Sequence, residues 1–498
     1  MTNQKYFYLI LIILIVFISR FYFSLESESY FSPDPVIYEA AVKEFSLANK
    51  TPHLPGYYLY VKSINILELT GVTPSYAQVL FSIIFSILSA IIFFLIFNRY
   101  LEYKESFLLI LFMFFNPAIY FYGLVNENYI FDLFAGGLIY YISFYKNRLY
   151  ILFPILAIIA GFRQTTGLLL TPFVLYILWN NRETLTKQLL FYISSIILSI
   201  IIFISWFIPM TSSIGGGLKY FSLFIYESPI PKSTFIKNFS TMVSISFYFL
   251  LPLIFIINWL KVFKNIHQIS KYLNIKLIIW FAIPMVFFMF SHYNKGYILL
   301  PIGALFVFSS INYKSLLINK LSITVLIIFQ LLFYFLIPYN QPYYQIYLKS
   351  DQREISKVQT WQNRMLTKWL PVNSHISYLN KYHNSLNQFC NYLNKINALD
   401  TVIVLPTIDS DAFTFSLRMP QKTIIRVGKD YISSMNECIV DNDYINIESI
   451  KNRYFVSNNN FFSEKMIQHS KINYQTNKLV LFQLQDSVDV NILLRWFR

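Results

Sequence analysis

Apolar runs long enough to cross a hydrocarbon layer of roughly 30 Å recur near 6–24, 76–98, 106–124, 129–145, 188–209, 241–260, 275–291, 296–312 and 320–338. One further run, 150–179, is too long for a single helix. Gly161-Phe162-Arg163-Gln164-Thr165-Thr166-Gly167 interrupts it, and the pattern predicts two short helices joined by a polar turn. In all, about eleven transmembrane helices are expected. Beyond 338 the pattern changes. The strand-like runs 401–405, 453–457 and 479–482, with helical-looking segments around 350–398, predict a small α/β domain. The expected fold is an all-α polytopic membrane bundle over 1–338 with a C-terminal extracytoplasmic α/β domain over 339–498. No convincing internal repeat is present, which argues against a transporter built from inverted halves.

Composition agrees with the pattern. Of the 498 residues 56% are hydrophobic and 13% charged, against roughly 25% charged in soluble domains. With 13 Gly and 2 Cys, collagen-like and disulfide-scaffold classes are excluded. Phe and Tyr (50 and 39) accompany many Ile, Asn and Lys, the signature of AT-rich codons, so aromatic clusters alone do not mark sites. Residues 1–338 hold 22 of the 40 Lys/Arg and 12 of the 25 Asp/Glu. The basic excess lies mostly in short loops, as membrane topology requires, and no nucleic-acid partner is expected.

Counting every span, Lys5, Arg99, Lys104, Lys146, Arg148, Arg182, Lys187, Lys261, Lys264, Lys271, Lys276, Lys314 and Lys320 fall on one side, the cytoplasmic one. The N-terminus is then inside and the C-terminal region outside. The first run lacks a small-residue cleavage site and reads as a retained helix. The outer face receives a long first loop (25–75), a middle loop (210–240) and the tail, where Cys390 and Cys438 permit a disulfide.

The acids of the membrane part localise the chemistry. Glu102, Glu105 and Glu183 are in cytoplasmic loops. Glu26, Glu28, Asp34, Glu39, Glu44 and Glu68 crowd the first outer loop, and Glu127, Asp132 and Glu227 lie at or near outer ends of later spans. Carboxylate chemistry is therefore expected on the outer face. In Ser32-Pro33-Asp34-Pro35-Val36-Ile37-Tyr38-Glu39, Asp34 before Pro35 fits an N-cap with proline at the first helical position. An interfacial helix to about 48 should follow. Asp34 as a mere cap and Asp34 as a general base above the bilayer are compatible readings. His53, in the Pro-rich element 51–60, opens a second amphipathic stretch.

Positive groups complete the set. Arg163, inside an apolar stretch, is either functional or snorkels to the interface. His292 and Lys295 share a tight outer turn; with Arg163 on the same face, they suit a phosphate. Other motifs are weak. Asp409-Ser410-Asp411 and Asp441-Asn442-Asp443 lie in the external tail and read as loop turns. Gly215-Gly216-Gly217 lacks the Lys-Ser/Thr of a P-loop.

Four segments together resemble the GT-C superfamily of membrane glycosyltransferases, which use polyprenyl-phosphate-linked sugars. They are the acidic motif Ser32–Tyr38, the His/Pro element His53–Leu59, the pair Asn116-Pro117 with Asn126-Glu127-Asn128, and Arg163-Gln164-Thr165-Thr166-Gly167-Leu168-Leu169. The stretch 292–301 is similar to a His-Lys-type loop of some members, although His and Lys are not adjacent here. The resemblance implies an inverting sugar transfer with Asp34 as base and a second acidic role open between Glu39 and Glu127. It implies Arg163, Lys295 and His292 as phosphate ligands, and His53 and Tyr38 as substrate contacts. No cofactor is required by it, and a divalent metal is left open. The implied partners are a polyprenyl-phosphate sugar donor, a lipid, glycan or protein acceptor, and the lipids of the plasma (inner) membrane. Competing classes are a flippase or transporter for a lipid-linked sugar, an O-antigen ligase or polymerase, and a membrane anchor for a sensory tail. Acids crowded at one face disfavour the transporter, and a dominant first loop and tail disfavour the ligase.

Overall fold

The computed structural model describes residues 2–227, 274–290, 295–311, 320–335, 372–395 and 418, and six strand segments between 401 and 484. The run 241–260, the middle loop beyond 227, His292 and the Asp409 and Asp441 motifs lie outside the described residues.

The first helix, α1 (Thr2–Phe23), is predominantly apolar and leads into a long first loop. That loop carries α2 (Pro33–Lys43) and α3 (Tyr58–Glu68). Next comes α4 (Pro74–Phe97), whose start is set by Thr73, which accepts from the Tyr76 N–H, and by Pro74 at the first position. In α5 (Tyr103–Phe114) Glu105 accepts from the Glu102 backbone N–H. Asn116 caps the short α6 (Pro117–Tyr122), and α7 (Ile130–Ile142) follows. The long apolar stretch divides as its polar interruption predicts, into α8 (Leu152–Phe162) and α9 (Gln164–Trp179), with Arg163 extended between them (φ −147°, ψ 105°). The chain continues through α10 (Arg182–Lys187), α11 (Leu189–Thr211), α12 (Gly217–Glu227), α13 (Ile275–Phe290), α14 (Leu299–Ile311), α15 (Lys320–Phe335) and α16 (Val372–Asn394).

Among the described residues, Asn3–Phe23, Pro74–Phe97 and Leu189–Ile214 are long and apolar enough to cross a membrane, and shorter apolar helices accompany them. The protein is an integral membrane protein of mostly helical build. Its core forms where α4 and α7 pack. Gly137 brings α7 onto Phe93, and Gly136 meets the Trp280 ring of α13. Small residues allow this approach where lipid offers no hydrophobic drive. Trp280 stacks on Phe173 with ring centroids 5.7 Å apart, and its indole N–H donates to the Leu300 carbonyl at 2.9 Å. One buried residue thus joins α7, α9, α13 and α14.

The tail segments β1 (Thr401–Val404), β2 (Thr423–Val427), β3 (Glu437–Val440), β4 (Tyr454–Asn458), β5 (Ser470–Gln475) and β6 (Leu479–Leu484) pair in the order β3-β2-β1-β4-β6-β5. The β3-β2-β1-β4 part is parallel, while β6 runs antiparallel to both β4 and β5.

Candidate active site

The site forms where the loop that follows α1 lies against the loop between α6 and α7. Backbone and side chains join the two. The Leu25 N–H donates to Leu124 O at 3.0 Å, Asn126 accepts from the Phe31 N–H at 3.0 Å, and its amide donates to Ser29 O at 2.7 Å. Next to this junction the Ser32 hydroxyl donates to the Glu127 carboxyl, and Ser82 of α4 donates to the Glu127 carbonyl at 2.8 Å. Glu127 is buried. Burial, reinforced by the charge of Asp34, pushes its carboxyl up to about 8.

Asp34 is half-buried in the first turn of α2. The expected N-cap role is corrected: Ser32 occupies the cap position, Pro33 follows it, and Asp34 lies inside the helix. Ser32 makes no side-chain capping bond: Pro33 and Pro35 have no N–H for it to accept from, and its hydroxyl donates to Glu127. Prolines at 33 and 35 are tolerated because first-turn N–H groups have no intrahelical acceptor. Gln78 of α4 secures this turn by donating to Pro35 O at 2.9 Å. The helix also stops at Lys43, short of the expected 48, because Ser46 and Thr51 pair backbone to backbone and reverse the chain.

The two candidate second acids occupy different surroundings. Five residues along a helix are about 140° around it, so Glu39 lies on another face of α2 from Asp34. It is buried and accepts from the Tyr30 hydroxyl at 2.6 Å. Glu127 is the carboxyl whose surroundings include Asp34.

Arg163 is also buried, not snorkelled. Its Nε lies 3.0 Å from Asp132 Oδ1 in poor hydrogen-bond geometry, so the contact is mainly one of charge. Its Nη1 donates to Asn128, while Thr166 donates to Asp132 at 2.5 Å. Tyrosine rings enclose the guanidinium: Tyr129 at 4.6 Å, Tyr297 at 5.6 Å and Tyr57 at 5.9 Å. Asp34 acts electrostatically on Tyr57 and Tyr297, the same rings that face Arg163, so carboxylates and guanidinium flank one tyrosine-lined region. Tyr38 sits edge-on to Tyr57 and Tyr60, with ring centroids 5.5 and 5.1 Å away, and 6.0 Å from the His53 ring.

Lys295 opens a 3-10 turn over Lys295–Ile298 before α14, and Gly296 of that turn packs flat against the Tyr129 ring. Sequence reasoning did not assign roles to Asp132, Asn128, Ser32 or to Tyr57, Tyr129 and Tyr297. Asp132 carried a usable signal, as an acid near the start of the apolar run that precedes the run holding Arg163. Among the described residues, no group of three or more His, Cys, Asp or Glu side chains converges as a metal site would require.

No family model and no curated protein matches this chain. Solved structures do. ArnT from Cupriavidus metallidurans bound to undecaprenyl phosphate superposes with a TM-score of 0.59 at 10% identity, over 98% of this chain and 99% of that one. The same protein in the apo state gives 0.58 at 10% identity, over 97% and 98%. The chain shares the fold of ArnT along nearly its whole length.

Proposed function

We propose that the protein is a glycosyltransferase that moves a sugar from a polyprenyl-phosphate carrier to an acceptor hydroxyl on the outer side of the membrane. The observation that carries this reading is the bond that ties Glu127 to Ser32, two residues before Asp34, beside a tyrosine-lined region that holds Arg163, within a fold shared with a protein that binds undecaprenyl phosphate. We assign residues 1–338 to the catalytic bundle of about eleven spans and 339–498 to an extracytoplasmic α/β domain. The N-terminus is assigned to the cytoplasm.

In the mechanism, Asp34 takes the proton of the acceptor hydroxyl. The acceptor oxygen attacks the anomeric carbon from the face opposite the phosphate. The bond from that carbon to the phosphate oxygen breaks, its electron pair leaves with the polyprenyl phosphate, and the configuration inverts. Arg163, with Lys295 and His292, offsets the charge that develops on the phosphate. Glu127, protonated at neutral pH, accepts from Ser32 and adds no second negative charge beside the base. Tyr38 and His53 line the substrate side. Asp132 holds the Arg163 guanidinium in place.

The test is incubation of purified protein with a panel of undecaprenyl-phosphate-linked hexoses and pentoses and with membrane extract as acceptor source. The expected result is transfer with an inverted anomeric linkage. Donor crossing the bilayer in vesicles without any sugar transfer would instead establish the flippase reading.

A further inference from the structure

A second polar network, buried at Tyr30, Glu39, Asn380 and His383 and open to solvent at Glu26 and Asn384, lies away from Asp34 and joins the tail to the first outer loop. Helix α16 presents Asn380, His383, Asn384 and Asn387, spaced as one helical face, along residues 26–30. Asn380 accepts from the Glu26 N–H at 3.0 Å. Asn384 donates to the Glu26 carboxylate at 3.2 Å, and Asn387 donates to that of Glu28 at 3.1 Å. His383 Nε2 lies 2.9 Å from Tyr30 O. A carbonyl can only accept, so Nε2 carries the hydrogen, and burial pushes His383 down to about 3, keeping it neutral.

Arg418 completes the network. It pairs with Glu28 at 3.2 Å and donates to the Tyr30 hydroxyl at 3.3 Å. That hydroxyl in turn donates to Glu39 on α2, the helix that bears Asp34. An eleven-residue helix is too short to hold its own position. Its first turn is secured from α4 through Gln78, and its middle is secured from the tail through Tyr30.

We propose that Tyr30 and Arg418 are positioning residues: the tail clamps α2, and with it Asp34, through the Arg418–Tyr30–Glu39 relay. The catalytic consequence rests on the reading of Asp34 given above; the clamp itself does not. Burial pushes the Glu39 carboxyl up, and Tyr30 and Arg418 oppose that shift.

The test uses the full chain in nanodiscs with Tyr30→Phe, Arg418→Met, Arg418→Lys and the double variant Tyr30→Phe/Arg418→Met. Tyr30→Phe is the mild case, since it keeps both the ring and the backbone bond to His383. Hydrogen exchange of amides 37–43 should rise about tenfold in Tyr30→Phe and Arg418→Met, with α4 unchanged. With the donor that the wild type turns over from the undecaprenyl-phosphate panel, kcat should fall about tenfold while the donor KM stays within about twofold. Arg418→Lys should recover part of kcat. The double variant should be no worse than the weaker single one, because both cut the same link. Unchanged exchange in α2 overturns the clamp. Faster exchange with unchanged kcat overturns the positioning role. If Asp34→Asn transfers sugar at the wild-type rate, the reading of the site fails, while the exchange result still decides the clamp.

Discussion

Glu127→Gln should remove a pH dependence of stability rather than stability itself. A carboxyl raised from its ordinary 4.5 to about 8 binds its proton more tightly in the folded protein than in the unfolded chain. Between those two values the folded state holds a proton that the unfolded state has released, so stability falls as pH rises, by about 1.4 kcal/mol per unit. Below 4.5 the contribution is fully present, and above about 8 the loss levels off near 5 kcal/mol, an upper figure that local relaxation reduces. At pH 7 about nine-tenths of the carboxyl is still protonated. Glutamine mimics that form: its carbonyl oxygen can accept from Ser32 as the carboxyl does, and it cannot ionise. Apparent melting temperature in detergent, measured from pH 5 to pH 9, should therefore decline less steeply in Glu127→Gln than in the wild type, with the curves closest at pH 5, separating steadily up to about pH 8 and holding that separation above it. Parallel curves would refute the argument, because they would mean that Glu127 ionises as freely folded as unfolded.

Two further outcomes test the surroundings of Arg163. Asp132→Asn leaves a buried guanidinium without its carboxylate and should destabilise by about 3–5 kcal/mol; chemical denaturation of the purified protein reads this, and an unchanged midpoint would mean that Arg163 has another counter-charge. Gly296→Ala would drive a methyl group into the Tyr129 ring. It should cost about 1–3 kcal/mol and lower transfer activity, as thermal unfolding and the transfer assay would show.

The helical bundle was readable because its signals are local. A long apolar run interrupted by Gly161–Gly167 can be read without knowing what lies beside it, and α8 and α9 divide at Arg163. The position of Asp34 was misread because Ser32-Pro33 and Asp34-Pro35 are both cap–proline pairs in the local sequence. The contact that marks Ser32, its bond to Glu127 95 residues away, cannot be seen by inspecting 32–38. The choice between Glu39 and Glu127 stayed open for the same reason: helical spacing separates Asp34 from Glu39, but only the packing of two loops brings Glu127 to Asp34. Arg163 was visible as an arginine in an apolar stretch, whereas its partner Asp132 belongs to another helix. The polar face of α16 does have a sequence signature, in Asn380, His383, Asn384 and Asn387. Its meaning depends on Glu26, Glu28 and Tyr30, more than 350 residues earlier.

The central claim is that Asp34 removes the proton from the acceptor hydroxyl. Its most direct measurement is single-turnover sugar transfer from an undecaprenyl-phosphate donor by Asp34→Asn beside the wild type, with donor binding and melting temperature recorded for both. The account predicts donor bound equally well, an intact fold, and transfer slower by about a hundredfold or more. Transfer at the wild-type rate would contradict it and leave Asp34 as a residue of the first helical turn with no part in the chemistry.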